Sequence, residues 1–104
     1  MTITKTSEDN FTLHKQNEDY VLYMGQITPQ TKRPFTLQIS EVEDSSKVSV
    51  DTTCGCTFAT IKIVDKNTLE ASLAYTTCDN AFAKTIVINN NNKNTLLKIQ
   101  GTCQ

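Results

Sequence analysis

Residues 52–61 read TTCGCTFATI, and this run decides how the fold is interpreted, because two cysteines stand one glycine apart inside an otherwise strand-like segment. Threonine, phenylalanine and isoleucine suit a pleated sheet. In an extended strand Cys54 and Cys56 point to the same side, about 6.5–7 Å apart. The run therefore predicts a strand hinged at Gly55, since glycine permits a bend there.

The chain holds four cysteines, and their spacing leaves several roles open. Zinc ligands usually come in C-x₂₋₄-C pairs, so a four-cysteine zinc site is only a weak candidate here. A Cys54–Cys56 bridge has unfavourable geometry, but longer-range disulfides are open. A redox dithiol needs a helix N-terminus or a nearby cation to lower the thiol pKa, and neither is predicted. We interpret the four cysteines as buried free thiols that bind no metal and no cofactor: Cys54, Cys56, Cys78 and Cys103.

Alternating apolar and polar residues recur along the chain at roughly ten-residue spacing, with turn residues between the segments. Hydrophobic residues make up only 38% of the sequence, which indicates a thin core. The alternation places Tyr20, Leu22 and Met24 on one face of a strand, as it does Phe35, Leu37 and Ile39, and also Leu97 and Ile99. Leu69, Ala71, Leu73 and Tyr75 are predicted to point inward. The pattern predicts an all-β, immunoglobulin-like antiparallel β-sandwich of seven to eight strands, with a small barrel as the alternative.

The length of 104 residues fits one domain. Residues 1–10 are polar and predict an N-terminal arm or edge strand, whereas 11–104 form the single immunoglobulin-like domain. The asparagine run 89–92 predicts a solvated hairpin tip.

Charge and hydropathy exclude two classes of partner. The net charge is −1 and the lysines are scattered, so nucleic-acid binding is not expected. No apolar run approaches the ~20 residues that span a bilayer, so no membrane partner is expected. The segment 1–10 lacks the apolar stretch of a secretory signal, which predicts a protein kept in the cytoplasm of the producing cell.

No catalytic or cofactor-binding residues are predicted, and the chain is interpreted as a non-enzyme. His14 is the sole histidine and is expected on a strand surface. No nucleophile elbow or phosphate-binding glycine loop is present. The carboxylates Glu41, Glu43, Asp44 and Asp51 lack EF-hand spacing and predict a solvated acidic turn.

Five segments occur in the order seen in one family: GQI (25–27), FTLQI (35–39), CGCT (54–57), FAKTIVI (82–88) and LKIQG (97–101). On these segments the chain resembles small bacterial immunoglobulin-like domains of unknown function that carry a Cys-Gly-Cys-Thr signature, relatives of the ASH/MSP/hydin-like β-sandwiches. The resemblance covers residues 20–102. Two turns depart from the family pattern, EVEDSSK (41–47) and DKNTLEA (65–71), and Cys78 and Cys103 lie outside it.

The resemblance implies a structural or binding module. The leading hypothesis is a bacteriophage capsid accessory, or decoration, protein located in the virion, which binds a repetitive protein surface. Its affinity would come from main-chain pairing at an exposed edge strand, such as the 1–14 segment, and from loops. The alternatives are a cell-surface or periplasmic adhesion or assembly module and, less favoured, a small zinc-binding protein with four cysteine ligands.

The thiol interpretation predicts that the unreduced protein, denatured without chelator, takes up four alkyl groups. Free buried thiols become accessible on unfolding, whereas disulfides stay blocked and a bound metal appears in the native mass. Intact-protein mass spectrometry, with and without chelator, makes the measurement. Fewer than four adducts would show disulfides, and a chelator-sensitive mass would show a metal.

Overall fold

The computed structural model describes residues 1–28, 32–52, 57–76 and 81–103, with the side chain of Cys103 outside the description. Within these ranges the chain forms nine strands and one 3₁₀ turn, Ser45–Lys47. The strands are β1 (Thr2–Lys5), β2 (Thr12–Gln16), β3 (Asp19–Ile27), β4 (Lys32–Ser40), β5 (Val48–Thr52), β6 (Thr57–Asp65), β7 (Thr68–Thr76), β8 (Ala81–Asn90) and β9 (Lys93–Cys103).

The strands form two sheets that share one hydrophobic core. The first sheet has the order β1-β4-β7-β6 and the second the order β2-β3-β9-β8-β5. Side chains from both sheets meet in a single buried cluster, which includes Leu22, Phe35, Leu37, Ile39, Leu69, Tyr75, Ile86, Leu97 and Ile99. The predicted all-β sandwich architecture is therefore confirmed.

The period-2 pattern identified the inward face of the central strands correctly. Leu37 and Ile39 on β4 are fully buried, and so are Leu97 and Ile99 on β9. Their polar neighbours point outward, as Gln38 and Lys98 show. Alternation works here because each sheet has one face on the core and one in solvent.

Two details of the predicted sandwich were wrong. The described residues hold nine strands rather than seven to eight, because the polar segments at Thr2–Lys5 and Thr12–Gln16 both pair with neighbours. The sheets are also not wholly antiparallel, since β3 runs parallel to β9. Alternation along a strand reports which face is buried but carries no information on the direction of the neighbouring strand.

The segment 2–5 is ordered within its own chain. β1 pairs antiparallel with β4 at the edge of the first sheet. Ile3 is buried, and its backbone N–H donates to the Tyr20 hydroxyl of β3 at 3.3 Å. This hydrogen bond joins the two sheets at one end of the sandwich.

The asparagine run forms the hairpin between β8 and β9. Asn91 and Asn92 are exposed and have φ angles of 51° and 69°. Positive φ at both central residues is the geometry of a tight two-residue hairpin, and asparagine tolerates it better than most residues. The Asn89 side chain donates to Asn94 Oδ1 at 2.7 Å and accepts from Asn92 N–H at 3.2 Å. The predicted hairpin tip is confirmed.

Two glycines shape the parallel pair. Gly25 lies opposite Gly101, next to a register shift after Tyr23, and has a φ of 70°. A Cβ on Gly101 would lie 2.8 Å from the Gly25 carbonyl oxygen and 2.7 Å from the Phe82 ring. Only a residue without a Cβ lets β3 and β9 approach this closely while Phe82 remains buried.

Gly101→Ala is therefore expected to destabilise the domain by about 1–3 kcal/mol, because a backbone oxygen cannot move aside as a flexible side chain can. Urea unfolding followed by circular dichroism measures the change. Thr102→Ala is the control, since this exposed neighbour on the same strand should change stability by less than about 0.5 kcal/mol. Equal midpoints for the two variants would contradict the close approach.

The crossover from β1 to β2 is organised by one carboxylate. Asp9 Oδ1 accepts from Lys5 Nζ at 2.6 Å and from the Phe11 N–H at 2.9 Å, while Oδ2 accepts from Ser7 Oγ at 2.5 Å. Ser7 Oγ in turn accepts from the Thr36 N–H of β4. Burial raises the pKa of Asp9, but the hydrogen bonds from Lys5, Ser7 and Phe11 outweigh it and hold the pKa below its ordinary value.

Asp9→Asn is expected to destabilise the protein by about 1–2 kcal/mol at neutral pH, because the charge-assisted bonds are lost. A lowered folded-state pKa contributes stability that is complete above the unfolded value of 3.8 and disappears as pH falls through the lower folded value. The difference from the native chain should therefore vanish in strong acid. Unfolding curves between neutral and acidic pH test this, with the exposed Glu8→Gln as control. A difference that persists in strong acid would contradict the assignment.

Candidate functional site

The most exposed apolar surface in the described residues lies on β6. Four of its side chains reach solvent: Phe58 (59% exposed), Val64 (57%), Ile63 (55%) and Ile61 (40%). Large apolar residues on a surface are ordinary when scattered, but here they follow one another along a single strand. We call Phe58, Ile61, Ile63 and Val64 the β6 patch.

The position of β6 in the sheet exposes its backbone as well. β6 is the last strand of the first sheet and pairs with β7 along one side. No described strand pairs with its other side. An edge strand of this kind presents unpaired N–H and C=O groups, which another strand can use.

The two isoleucines of the β6 patch lie on the core-facing side of their strand. Ile61 lies opposite Ala71 and Ile63 opposite Leu69, and both partners are buried. The isoleucines are nevertheless 40% and 55% exposed, so the described residues cover them only in part. From the second sheet it is β5 that contacts β6, and the 3₁₀ turn lies against β6 as well.

The outer face of the same strand carries Phe58. The Phe58 ring projects there, and the Lys32 ammonium of β4 lies 5.8 Å from its centroid. This distance falls within cation–π range, which is worth about 0.5–1 kcal/mol at an exposed site. The contact orients the ring but leaves more than half of it in solvent.

Natural proteins protect edge strands with charges and bulges, and β6 has little of either. Lys62 is the one charged residue between Phe58 and Val64, and its neighbour across the strands is Glu70. A register shift lies between Ile63 and Asp65, at the far end of the strand. The run 57–63 keeps regular pairing geometry and lacks a bulge.

The binding edge predicted from the sequence is the 1–14 segment, and the described residues there differ from the β6 patch. β1 and β2 are both edge strands, but Ile3 on β1 is buried. On β2, Thr12 and His14 are exposed and polar. A signal for β6 was present in FATIKIV (58–64), where apolar residues occupy both faces of the strand instead of alternating.

The four cysteines stay a prediction. Cys54, Cys56 and Cys78 lie outside the described residues, and for Cys103 only the backbone is described, at the end of β9. The zinc, disulfide and free-thiol interpretations are therefore untested by the geometry. Within the described ranges, no group of three or more histidine, cysteine or acidic side chains is placed to hold a metal ion.

The remaining sequence candidates have local roles. His14 is exposed on β2, and its ring packs edge-on against Tyr23 at 5.4 Å. Asp44 caps the 3₁₀ turn by accepting from the Ser46 N–H and hydroxyl, and these bonds, helped by Lys47 and Lys66, lower its pKa. Glu41 accepts from the Thr2 hydroxyl at 2.6 Å.

Comparison with known proteins identified no relative. A scan against protein-family models found no match, and neither a curated protein nor a solved structure matched the chain. Among the residues described here, none forms a helix with the length and apolarity needed to cross a membrane.

Proposed function

We propose that this chain is an immunoglobulin-like structural module that works by binding protein, and specifically a bacteriophage capsid accessory protein. The observation that carries the protein-binding part is the β6 patch on an open strand edge. Main-chain pairing at such an edge supplies affinity, and the side chains on its two faces supply specificity.

Strand order supports the immunoglobulin-like part of the proposal. If β1, β4, β7 and β6 take the places of strands A, B, E and D, the first sheet has the order of a constant-type domain. The second sheet then contains C, F and G as β5, β8 and β9. The additional strands β2 and β3 extend it beyond β9. The pairing of β3 with β9 is the parallel exception in this arrangement.

The capsid part of the proposal rests on the resemblance carried by GQI, FTLQI, CGCT, FAKTIVI and LKIQG. A capsid offers the same surface many times, so even a weak contact is multiplied when a decorating unit engages neighbouring positions. A small domain with a preformed apolar edge suits this task, because little conformational entropy is lost when a rigid strand binds.

The proposal predicts that the chain copurifies with particles assembled from the genome that encodes it, and that Ile63→Lys lowers its copy number per particle at least tenfold. A lysine on the β6 patch places an unpaired charge in an apolar contact. Quantitative mass spectrometry of gradient-purified particles measures the copy number.

Leu96→Lys is the matched control. Leu96 is 41% exposed on β9 in the other sheet, so the substitution adds the same charge away from β6. Its copy number should equal that of the native chain. Absence of the native chain from purified particles would overturn the capsid proposal, and equal loss in both lysine variants would remove β6 from the binding surface.

A further inference from the structure

We propose that the partner of the β6 edge is a second copy of this chain, bound antiparallel so that Ile61 lies opposite Ile61 of the other copy. This inference rests on the proposed function in one respect, since both make binding depend on β6. In the dimer β6 joins the two copies, other surfaces of each copy contact the capsid, and Ile63→Lys lowers the copy number by breaking the two-point attachment. The inference goes further by naming the occupant, and it makes the decorating unit a two-fold dimer that engages a repetitive surface at two points.

The edge itself favours a strand as occupant. Along a regular run β6 offers main-chain groups that no described strand pairs, and a strand is the element that can bind all of them at once. A second β6 would join two four-stranded sheets into one of eight. Because a two-fold axis relates the copies, every contact is made twice.

The two-fold symmetry of the dimer allows only a few registers between the two β6 strands. Residues directly opposite in an antiparallel pair lie on the same face of the sheet. Two identical strands can therefore pair symmetrically only with one residue opposite its own copy. Within the middle of β6 the candidates for this central residue are Thr60, Ile61 and Lys62.

The side chains of β6 distinguish the three registers. Centring on Lys62 places two ammonium groups opposite each other, which is destabilising. Centring on Thr60 pairs Ile63 with Thr57 and Lys62 with Phe58, so two apolar side chains face polar ones and only Ile61, opposite Ala59, has an apolar partner.

Centring on Ile61 gives apolar pairs on the core-facing side. Ile61 meets its own copy and Ile63 meets Ala59. These pairs lie within the regular run 57–63, whereas Val64 lies at the register shift and does not enter the pairing.

Charge does not oppose this register. Lys62 comes opposite Thr60 of the other copy, and on its other side Glu70 of its own chain is the neighbouring residue across the strands. The core-facing isoleucines gain the most, because they are 40% and 55% exposed in the single chain and each comes beside an apolar side chain of the other copy.

The contact is expected to be reversible. A stable interface buries about 800 Å² on each partner, and one edge strand with four exposed apolar side chains supplies less than that. Sedimentation or light scattering over about two orders of magnitude in concentration should therefore show a monomer–dimer equilibrium. Ile61→Lys should weaken dimerisation at least tenfold, because the register brings its two charges together.

A cysteine pair tests the register directly. Ile61→Cys places two thiols on Cα atoms about 4.5–5.5 Å apart across the dimer, within disulfide range. Ile63→Cys is the control on the same face of the same strand. In this register its two copies lie four residues apart along the strands, about 13 Å, which a disulfide cannot span. Because the chain has its own cysteines, the link is identified by proteolysis and peptide mass spectrometry.

The expected result is a 61–61 linked peptide from Ile61→Cys under mild oxidation and no 63–63 link from Ile63→Cys. A monomer at every concentration, or equal linking in both variants, would overturn the proposal. Circular dichroism confirms that each variant folds, which both exposed positions should permit. A monomer that still copurifies with particles would overturn only the dimer, whereas a dimer absent from particles would overturn only the capsid function.

Discussion

The pairing of β4 with β7 is the constraint on which the rest of the structure depends. Phe35, Leu37 and Ile39 lie opposite Leu73, Ala71 and Leu69, and all six are buried. Their inward face meets Leu97 and Ile99 of β9, which anchor the second sheet to the same core. At about 25 cal/mol per Å² of apolar surface removed from water, these central strands supply the main driving force for folding.

Polar groups complete the ends of this core. The Asp9 carboxylate gathers donors from Lys5, Ser7 and Phe11 where the chain crosses between sheets, so the crossing leaves these donors bonded. The Tyr20 hydroxyl accepts from the Ile3 N–H and joins β3 to β1 of the other sheet. Further along β3, Gly25 and Gly101 let two backbones approach more closely than side chains would permit. The Asp9 contacts are local in sequence, whereas the Tyr20 and glycine contacts join residues that no short sequence window contains.

At β6 the first sheet ends, and no described strand pairs with the outer side of this strand. Ile61 and Ile63 lie on the core-facing side yet are 40% and 55% exposed, while Phe58 projects from the outer face. Such an edge is an aggregation hazard unless a partner occupies it, and this cost favours a binding role. The β6 patch thus combines a sheet boundary, which the tertiary structure decides, with the apolar run FATIKIV (58–64), which the sequence contains.

Local chemistry determined much of this protein from the sequence alone. The strands around Leu37, Leu73 and Leu97 and their buried faces follow from period-2 alternation, and the hairpin at Asn91–Asn92 follows from the tolerance of asparagine for positive φ. Tertiary structure alone decided the direction of β3 against β9, the ordering of Thr2–Lys5 on β4, and the exposure of Ile61 and Ile63. The physical reason is that alternation records only which face of a strand is apolar. Which strand lies beside it, and how far the opposite sheet extends over it, depend on residues tens of positions away.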